Sequence, residues 1–513
     1  MQQTDTNWYH MPIAARFVQD ASTWHIHYID RVGLVSWYPA TSEMFHALFM
    51  TYFGSDGFSP LLNIGWLALA MLAAWCIGRP FGLAIEAVAG AAVVFSSPVV
   101  VFPSAGSAEN DMIGAALLLC VVGILVQRPG DDAVASRDWL ARAWIGGAAA
   151  GIAVSAKLTN ILPALVLIAV VGICAERSVR RRCAGGFTVA VVLTGSYWYL
   201  RNLYWSGSPL PRTASMIPIA RLGNSVFRDQ YFFPAFPLRF GTAWPFMVAI
   251  PIVACVAATV MGGNRARRAV GALGLACMGG YLLSPQVASN AAFSTTLRYG
   301  VFGLAVGFIA FPIVAARWER TGVLVASSVL ALLAMWNVQI QFRTATTSGM
   351  RDGWLALAAA VAAIVAGRVL GSRDWHAAAI RSGAAVGIVA VVACIGAFGF
   401  AQKYEDDAWR NQPVTHARIA TVDITTQYPL YGRDFSNYVQ VLGTLSAHGA
   451  WRWPAASCRS WRQLLVDGRY DYLATMHPSA QYVAWTPSTP QRVVVGGAPV
   501  WLYKIRTPLS VAC

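Results

Sequence analysis

The sequence predicts an all-α polytopic membrane protein of about twelve transmembrane helices with a small C-terminal α/β domain. Of the 513 residues, 57% are hydrophobic and 12% are charged, and the mean hydropathy is +0.51. This much apolar surface cannot be buried inside one soluble globule, so we expect lipid to surround it. The apolar residues fall in runs that are separated by short, arginine-containing loops. This arrangement is typical of helices that cross a bilayer repeatedly.

Twelve apolar runs are each about long enough to cross a membrane, several of them at the short limit. In chain order they cover 60–78, 81–99, 110–127, 139–154, 158–175, 184–202, 242–261, 267–284, 299–316, 321–340, 352–368 and 382–400. The sequence therefore predicts an external segment at 1–59, a transmembrane domain at 60–402 and an extracytoplasmic domain at 403–513.

The basic residues of the short loops lie mostly on one side of this predicted membrane topology. One side carries a large set of arginines between Arg79 and Arg381, whereas the other carries Lys157, Arg298, Arg343 and Arg351. The arginine-rich side is expected to face the cytoplasm. Both ends and the 203–241 loop then lie outside. The net charge of +15 has this membrane explanation, and we expect no nucleic-acid partner.

The outer segments differ in their predicted structure. Two amphipathic stretches, around 11–20 and 40–53, are too short to span and suit helices on the membrane surface. The tail contains strand-like pieces, DYLAT and RVVVGGAPVWLYKI, and we expect helices at Ser436–Ser446 and Ser460–Asp467. Cys458 and Cys513 lie in this polar tail, where an oxidising compartment could join them or leave two unrelated thiols.

An acid pair at the start of the third span is the first candidate for chemistry. Glu109 and Asp111 open the segment SAENDMIGAALLLCVVGIL, and an ionisable group at such a depth is costly unless it faces water, a cation or a partner. A carboxylate can act as general base for a hydroxyl, and a second can position the acceptor or hold a divalent cation, Mg²⁺ or Mn²⁺. Either acid could instead only cap the helix.

The outer face also gathers other acids, histidines and cations. Basic side chains at a lipid surface suit a phosphate or pyrophosphate on a lipid carrier, although Lys157 and Arg201 could equally be anchors that reach the interface. Metal binding by His25 and His27 would need a closer-matched ligand set. The full group is Asp5, His10, His25, His27, Asp30, Glu43, Glu109, Asp111, Lys157, Arg201, Arg212, Arg221, Arg228 and Arg298.

The order of short motifs over residues 5–300 resembles the C-type (GT-C), polyprenyl-phosphate-sugar-dependent membrane glycosyltransferases. It is most similar to the bacterial branch that includes the aminoarabinose transferase and the rhizobial lipopolysaccharide glycosyltransferases. No single motif is specific, and the resemblance depends on their order and common outer placement. The matching positions are Asp5, Tyr9-His10-Met11-Pro12, Tyr38-Pro39, Phe53-Gly54, Asn110-Asp111, Lys157, Arg201-Asn202, Gly207-Ser208-Pro209 and Arg298-Tyr299.

The resemblance implies roles for these residues. Asp5 would be the base or the acid that positions the acceptor, and Asp111 a second catalytic or metal-associated acid, with Glu109 beside it. His10 and Tyr299 would contact substrate. Lys157, Arg201 and Arg298 would hold the donor phosphate. The family also has a helix immediately before the first acid, which this sequence does not contain. Either the start is assigned too late or that helix was lost, and restoring it would give thirteen spans.

The resulting expectation is a glycosyltransferase of the bacterial inner membrane that moves a sugar from a polyprenyl-phosphate carrier to an acceptor on the outer face. The acceptor would be an envelope glycan, lipid or protein, and membrane lipids would be further partners. A transporter or lipid-linked glycan flippase would carry paired helix breaks or acids at mid-membrane depth. A non-catalytic scaffold that displays the C-terminal domain would make the outer acids dispensable.

Overall fold

The structure is a computed structural model. It describes residues 5–30, 35–104, 107–127, 132–210, 218–263, 265–283, 293–344, 414–422, 424–445, 451–452, 457–495 and 498–513.

Helices make up most of the described chain. After a short π-helical segment at Thr6–His10, they are α1 (Met11–Asp20), α2 (Thr41–Phe53), α3 (Ser59–Gly78), α4 (Ala84–Phe95), α5 (Pro98–Ser104), α6 (Asp111–Val126), α7 (Asp132–Ala156), α8 (Ile161–Cys174), α9 (Arg180–Gly195), α10 (Tyr197–Ser206), α11 (Pro218–Arg221), α12 (Ser225–Phe227), α13 (Phe233–Phe240), α14 (Trp244–Met261), α15 (Arg265–Tyr281), α16 (Phe293–Thr296), α17 (Val301–Ala315) and α18 (Glu319–Thr344). The C-terminal domain adds α19 (Cys458–Asp467) and α20 (Gln481–Ala484).

Ten of the twelve predicted spans coincide with these helices, and the remaining two, 352–368 and 382–400, lie outside the described residues. Length and composition alone qualify three helical stretches of the described chain as membrane-crossing: Ser59–Phe81, Ser225–Met261 and Phe293–Asn337. The pair α9 and α10 would make a fourth, although it bends by 54° at its break. The number twelve therefore stays a prediction.

Small residues set the close packing of the helix bundle. A β-carbon at Gly147 or Gly151 of α7 would collide with the backbone of α9 at Phe187 or Val191. Gly307 of α17 has the same relation to Pro251 of α14. Backbones that approach this closely gain dispersion energy where apolar burial gives no advantage over lipid. The packing also brings the first residues of α6 and α17 to the same end of the bundle.

The external helices α1 and α2 form where the amphipathic pattern predicts them. The apolar face of α1 is covered by protein, because it packs on α2 and on residues 428–435. The expectation that α1 lies on the membrane surface is therefore wrong. Helix α2 leaves Leu48, Tyr52 and Phe53 exposed, and its place at the lipid surface stays a prediction.

The C-terminal domain is a five-stranded mixed sheet with strand order β2-β1-β5-β7-β6. Strands β2, β1 and β5 are parallel, and β7 and β6 form an antiparallel hairpin. The strands are β1 (Arg418–Val422), β2 (Tyr438–Val441), β3 (Thr444–Leu445), β4 (Trp451–Arg452), β5 (Tyr472–Thr475), β6 (Ser488–Val495) and β7 (Ala498–Ile505).

The structure tests several predictions for this domain, and the helix expected at Ser460–Asp467 is confirmed as α19. The helix expected at Ser436–Ser446 is wrong, because Tyr438–Val441 alternates buried and half-buried side chains and pairs with β1 as strand β2. Cys458 and Cys513 are joined in a disulfide, which ties the start of α19 to the end of the chain.

Candidate active site

Three chain segments meet at the end of the bundle where α6 and α17 begin. Asp5 precedes the π-helical segment, Glu109 and Asp111 lie at the start of α6, and Arg298 lies in the turn that leads into α17. Asn63 of α3 supports the second segment, because its side-chain amide donates to the carbonyl oxygens of Ser107 and Glu109 at 2.9 and 3.2 Å. The sequence analysis did not identify Asn63, which carries no charge and stands alone in an apolar run.

The guanidinium of Arg298 lies among all three carboxylates. It donates to Asp5 Oδ2 at 2.8 Å and to Glu109 Oε1 at 3.0 Å, and its Nε lies 3.2 Å from Asp111 Oδ2. Arg298 and Glu109 are buried, with 7% and 0% of their side chains exposed. A buried cation needs compensating charge, and these three acids supply it.

Lys157 approaches the same acids from the end of α7. Its Nζ donates to Asp111 Oδ1 at 2.6 Å and lies 4.3 Å from the ring centre of Tyr299. The side-chain amide of Asn110 donates to the carbonyl of Ala156 at 3.0 Å, which holds the end of α7 beside α6. Lys157 is therefore a member of the cluster and not a separate anchor.

His10 and Glu43 form the inner wall of the cluster. His10 Nδ1 contacts the carboxylate of Glu43 in α2, and its Nε2 lies 3.9 Å from Glu109 Oε2, too far for a hydrogen bond. Both His10 and Glu43 are buried. The sequence analysis placed Glu43 on the outer face without giving it a role.

Two of the acids beside Arg298, Asp5 and Glu109, differ in the direction of their pKa shift. Burial raises the pKa of Glu109 to about 7, against the opposing effect of Arg298. Burial would also raise the pKa of Asp5, but the Arg298 guanidinium more than offsets it and the pKa of Asp5 is lowered. Carboxyls whose pKa values are pushed apart are suited to separate acid and base roles.

The Glu43 carboxylate favours the protonated form of His10. Burial would lower the pKa of His10, but the Glu43 carboxylate outweighs that effect and raises it. A protonated His10 favours negative charge on the neighbouring Glu109.

Arg201 is the predicted site residue that the structure does not bring to the cluster. Its guanidinium donates to the carbonyl of Ser36 at 3.1 Å and to Asn202 Oδ1 at 3.1 Å, and it stacks on Trp198. The bend between α9 and α10 turns it toward the loop at 23–36. These contacts give Arg201 structural partners, and its contact with the donor phosphate stays a prediction.

A small crevice lies beside Tyr299, between α8, α15 and α17. The lining residues are Thr159, Asn160, Leu162, Pro163, Cys277, Gly280, Tyr281, Tyr299, Phe302 and Gly303. The lining mixes polar and apolar side chains, and Tyr299 joins it to the cluster because Lys157 Nζ lies over the Tyr299 ring.

The carboxylates do not form a metal-ligand set in the part of the chain that the structure describes. Asp5, Glu109 and Asp111 all face Arg298, so a divalent cation would have to displace the guanidinium. His27 lies 3.3 Å from Asp20 and packs near Phe17, so these contacts do not join it to the carboxylates around Arg298.

Solved structures of membrane glycosyltransferases share this architecture, although no protein-family model and no curated protein sequence matches the chain. Crystal structures of the aminoarabinose transferase ArnT from Cupriavidus metallidurans are similar over 97% of this chain and 93% of theirs in the apo state (TM-score 0.56), and over 98% and 94% when bound to undecaprenyl phosphate (TM-score 0.51), both at 16% identity.

A second similar protein is the Archaeoglobus fulgidus oligosaccharyltransferase, at 12% identity and a TM-score of 0.50, over 93% of this chain and 65% of the other. Identities this low concern the fold alone. The chain has the fold of the GT-C membrane glycosyltransferases.

Proposed function

We propose that the protein is a membrane glycosyltransferase that moves a sugar from a polyprenyl-phosphate carrier to an envelope acceptor on the outer face of the membrane. The observation that carries the proposal is the position of Lys157 and Arg298 beside Tyr299, which also lines a crevice with apolar side chains in its wall. A lipid-linked phosphosugar has the same two parts, an anionic head and a long apolar chain.

The crevice would hold part of the donor's isoprenoid chain, and the two cations would bind its phosphate. Leu162, Pro163 and Phe302 offer an apolar wall to isoprene units, while Lys157 and Arg298 can each donate hydrogen bonds to phosphate oxygens. The similar fold of ArnT, which has been solved with undecaprenyl phosphate, supports this class of donor.

Binding of the donor phosphate would release the carboxylates from their contacts with Lys157 and Arg298. A phosphate that takes the place of Asp111 on Lys157 leaves that carboxylate free to accept a proton. The acceptor hydroxyl then attacks the anomeric carbon, its proton passes to the freed Asp111, and the bond from that carbon to the phosphate oxygen breaks. Lys157 and Arg298 stabilise the negative charge that develops on the leaving phosphate.

Asp5 and Glu109 have supporting roles in this scheme. Asp5 is the most exposed of the three acids, with 26% of its side chain accessible, and it would orient the incoming hydroxyl. Glu109 is fully buried between Arg298 and His10, where it sets the position of the guanidinium. His10 would act on substrate through Glu109, and Tyr299 would line the donor site.

Two observations support the outer placement of this site. The short loops at the cluster end of the helices contain few basic residues, as expected of the non-cytoplasmic side. The C-terminal domain, which packs at the same end, carries the Cys458–Cys513 disulfide, and such bonds persist in oxidising compartments. The bacterial inner membrane, with this domain on its outer side, is the location that fits both.

The test is sugar transfer by the purified protein from polyprenyl-phosphate sugars, comparing wild type with Asp111→Asn. We expect the variant to lose at least about a hundredfold in turnover while it stays folded. The matched control is Asp467→Asn, on the exposed face of α19, which should transfer normally. Equal transfer by Asp111→Asn would remove Asp111 from the reaction, and no transfer by wild type with any donor would favour a scaffold.

The same assay with and without EDTA tests whether transfer requires the divalent cation that the sequence suggested. No step above uses one, so we expect the rate to persist when EDTA is added. A loss that Mg²⁺ or Mn²⁺ restores would show that a metal takes part.

A further inference from the structure

The C-terminal domain contacts the bundle through the first external segment of the chain. Side-chain amides make most of these polar contacts: Gln19 donates to the carbonyls of Phe435 and Asn437 at 2.8 and 2.7 Å, and Gln440 donates to the carbonyl of Tyr28 at 3.0 Å. These contacts join residues 19–28, which follow Asp5 and His10 closely, to the sheet domain.

Gln427 makes the contact that lies nearest to the acid cluster. Its Nε2 donates both hydrogens, one to the carbonyl of Trp8 at 2.7 Å and one to the carbonyl of Ile29 at 2.8 Å. The side chain is buried, with 1% of the residue exposed. Trp8 lies inside the π-helical segment, between Asp5 and His10.

The π-helical segment is the first turn of a continuous helix, because it runs directly into α1. π-helical turns are rare in proteins and are frequent at functional sites. A buried carbonyl that loses its donor is left with an uncompensated desolvation cost. Gln427 supplies such a donor to the carbonyl of Trp8 and at the same time fixes the segment to the loop at Ile29.

We infer that Gln427 is a positioning residue: through the carbonyl of Trp8, the C-terminal domain holds Asp5 and His10 in the orientation that meets Arg298 and Glu109. The contact itself is independent of the activity, whereas its effect on catalysis rests on the proposed function. The sheet domain then acts as a clamp on the site.

Hydrogen exchange tests the clamp without any substrate. The full-length protein in detergent is compared as wild type, Gln427→Ala and Gln427→Glu, the last of which keeps the shape but removes the donor. We expect the amides of residues 6–11 to exchange about tenfold faster in both variants. The matched control, Gln440→Ala, should raise exchange near Tyr28 and leave residues 6–11 unchanged.

Exchange in β1 and β5 and an intact disulfide report that the sheet domain stays folded. If that domain is intact and residues 6–11 exchange at the wild-type rate in both Gln427 variants, the clamp is refuted. If Gln440→Ala loosens residues 6–11 as much as Gln427→Ala does, the effect belongs to the whole interface and the assignment to Gln427 fails.

Kinetics then separate positioning from donor binding. We expect Gln427→Ala to lower kcat about tenfold and to leave KM for the polyprenyl-phosphate sugar within about twofold, because Lys157 and Arg298 are attached to other helices. A raised KM with unchanged kcat would overturn the positioning role. If wild type transfers no sugar, the proposed function fails, while the exchange experiment still decides the clamp.

Discussion

The Nζ of Lys157 lies 2.6 Å from Oδ1 of Asp111, although 46 residues separate them in the chain. The pair joins the end of α7 to the start of α6, at the same end of the bundle as Arg298. A phosphate would compete with Asp111 for Lys157, so donor binding and release of the carboxylate are a single event. The positive charge of Lys157 would then pair with phosphate in place of Asp111, and no further protein group would need to enter the site.

Lys157→Met should weaken donor binding. The variant keeps an unbranched side chain of similar length but loses the charged group that lies over the Tyr299 ring and would contact the phosphate. We expect kcat/KM for the polyprenyl-phosphate sugar to fall by about a hundredfold or more. The control is Lys504→Met, at an exposed position of β7, which should behave as wild type. Unchanged binding of polyprenyl phosphate to Lys157→Met would contradict the assignment.

Glu109→Gln should change how stability depends on pH. Because the pKa of Glu109 is raised to about 7 on folding, the folded protein holds a proton that the unfolded chain has already lost. Stability from this group is therefore fully present below pH 4.5 and declines as the pH rises through 7.

The glutamine variant cannot ionise, so it should lack that decline. Thermal unfolding measured at pH 5 and pH 8 should show a smaller loss for Glu109→Gln than for wild type. Glu319→Gln, an exposed change at the start of α18, should leave the wild-type decline in place. Parallel pH profiles of wild type and Glu109→Gln would exclude the raised pKa.

Arg201→Gln should affect folding more than donor binding. The guanidinium is buried and holds the carbonyl of Ser36, so its loss leaves an unpaired acceptor and costs about 1–3 kcal/mol. We expect a lower thermal midpoint with KM for the donor unchanged in the folded fraction. A raised KM with unaltered stability would return Arg201 to the donor site, as the sequence resemblance implied.

Cys458→Ser should loosen the C-terminal domain. The bond closes a loop of 55 residues between the start of α19 and the chain end, and removing such a bond typically costs about 2–4 kcal/mol. Limited proteolysis of the purified protein should cut the variant within this domain faster than wild type. Reduced wild type should match the variant, and equal resistance of all three forms would show that the bond adds no stability.

The sequence predicted most of the site because charges in apolar surroundings stand out. Asp111, Lys157 and Arg298 each interrupt or open an apolar run, and a common outer placement was enough to group them. The pairing was not predictable from spacing. Arg298 meets Glu109 and Asp111 because α6 and α17 begin at the same end of the bundle, and Asp5 reaches it from the first segment of the chain.

Tertiary contacts decide what the sequence alone leaves open. Arg201 matches a family motif, and the bend after Gly195 turns it toward the loop at Ser36, so its contact with the donor phosphate stays a prediction. Tyr438–Val441 reads as part of a helix, yet pairing with β1 makes it a strand. Helix α1 has the composition of a surface helix, and protein covers its apolar face instead of lipid.

The contact between Gln427 and Trp8 has a consequence for biosynthesis. Residues 5–10 leave the ribosome early, whereas their partners in the sheet domain are translated after all the described bundle helices. The protein therefore passes through membrane insertion before Gln427 can donate to the carbonyl of Trp8. On the proposed function, full transfer activity would arise only after the domain at 414–513 has folded onto the segment that was made first.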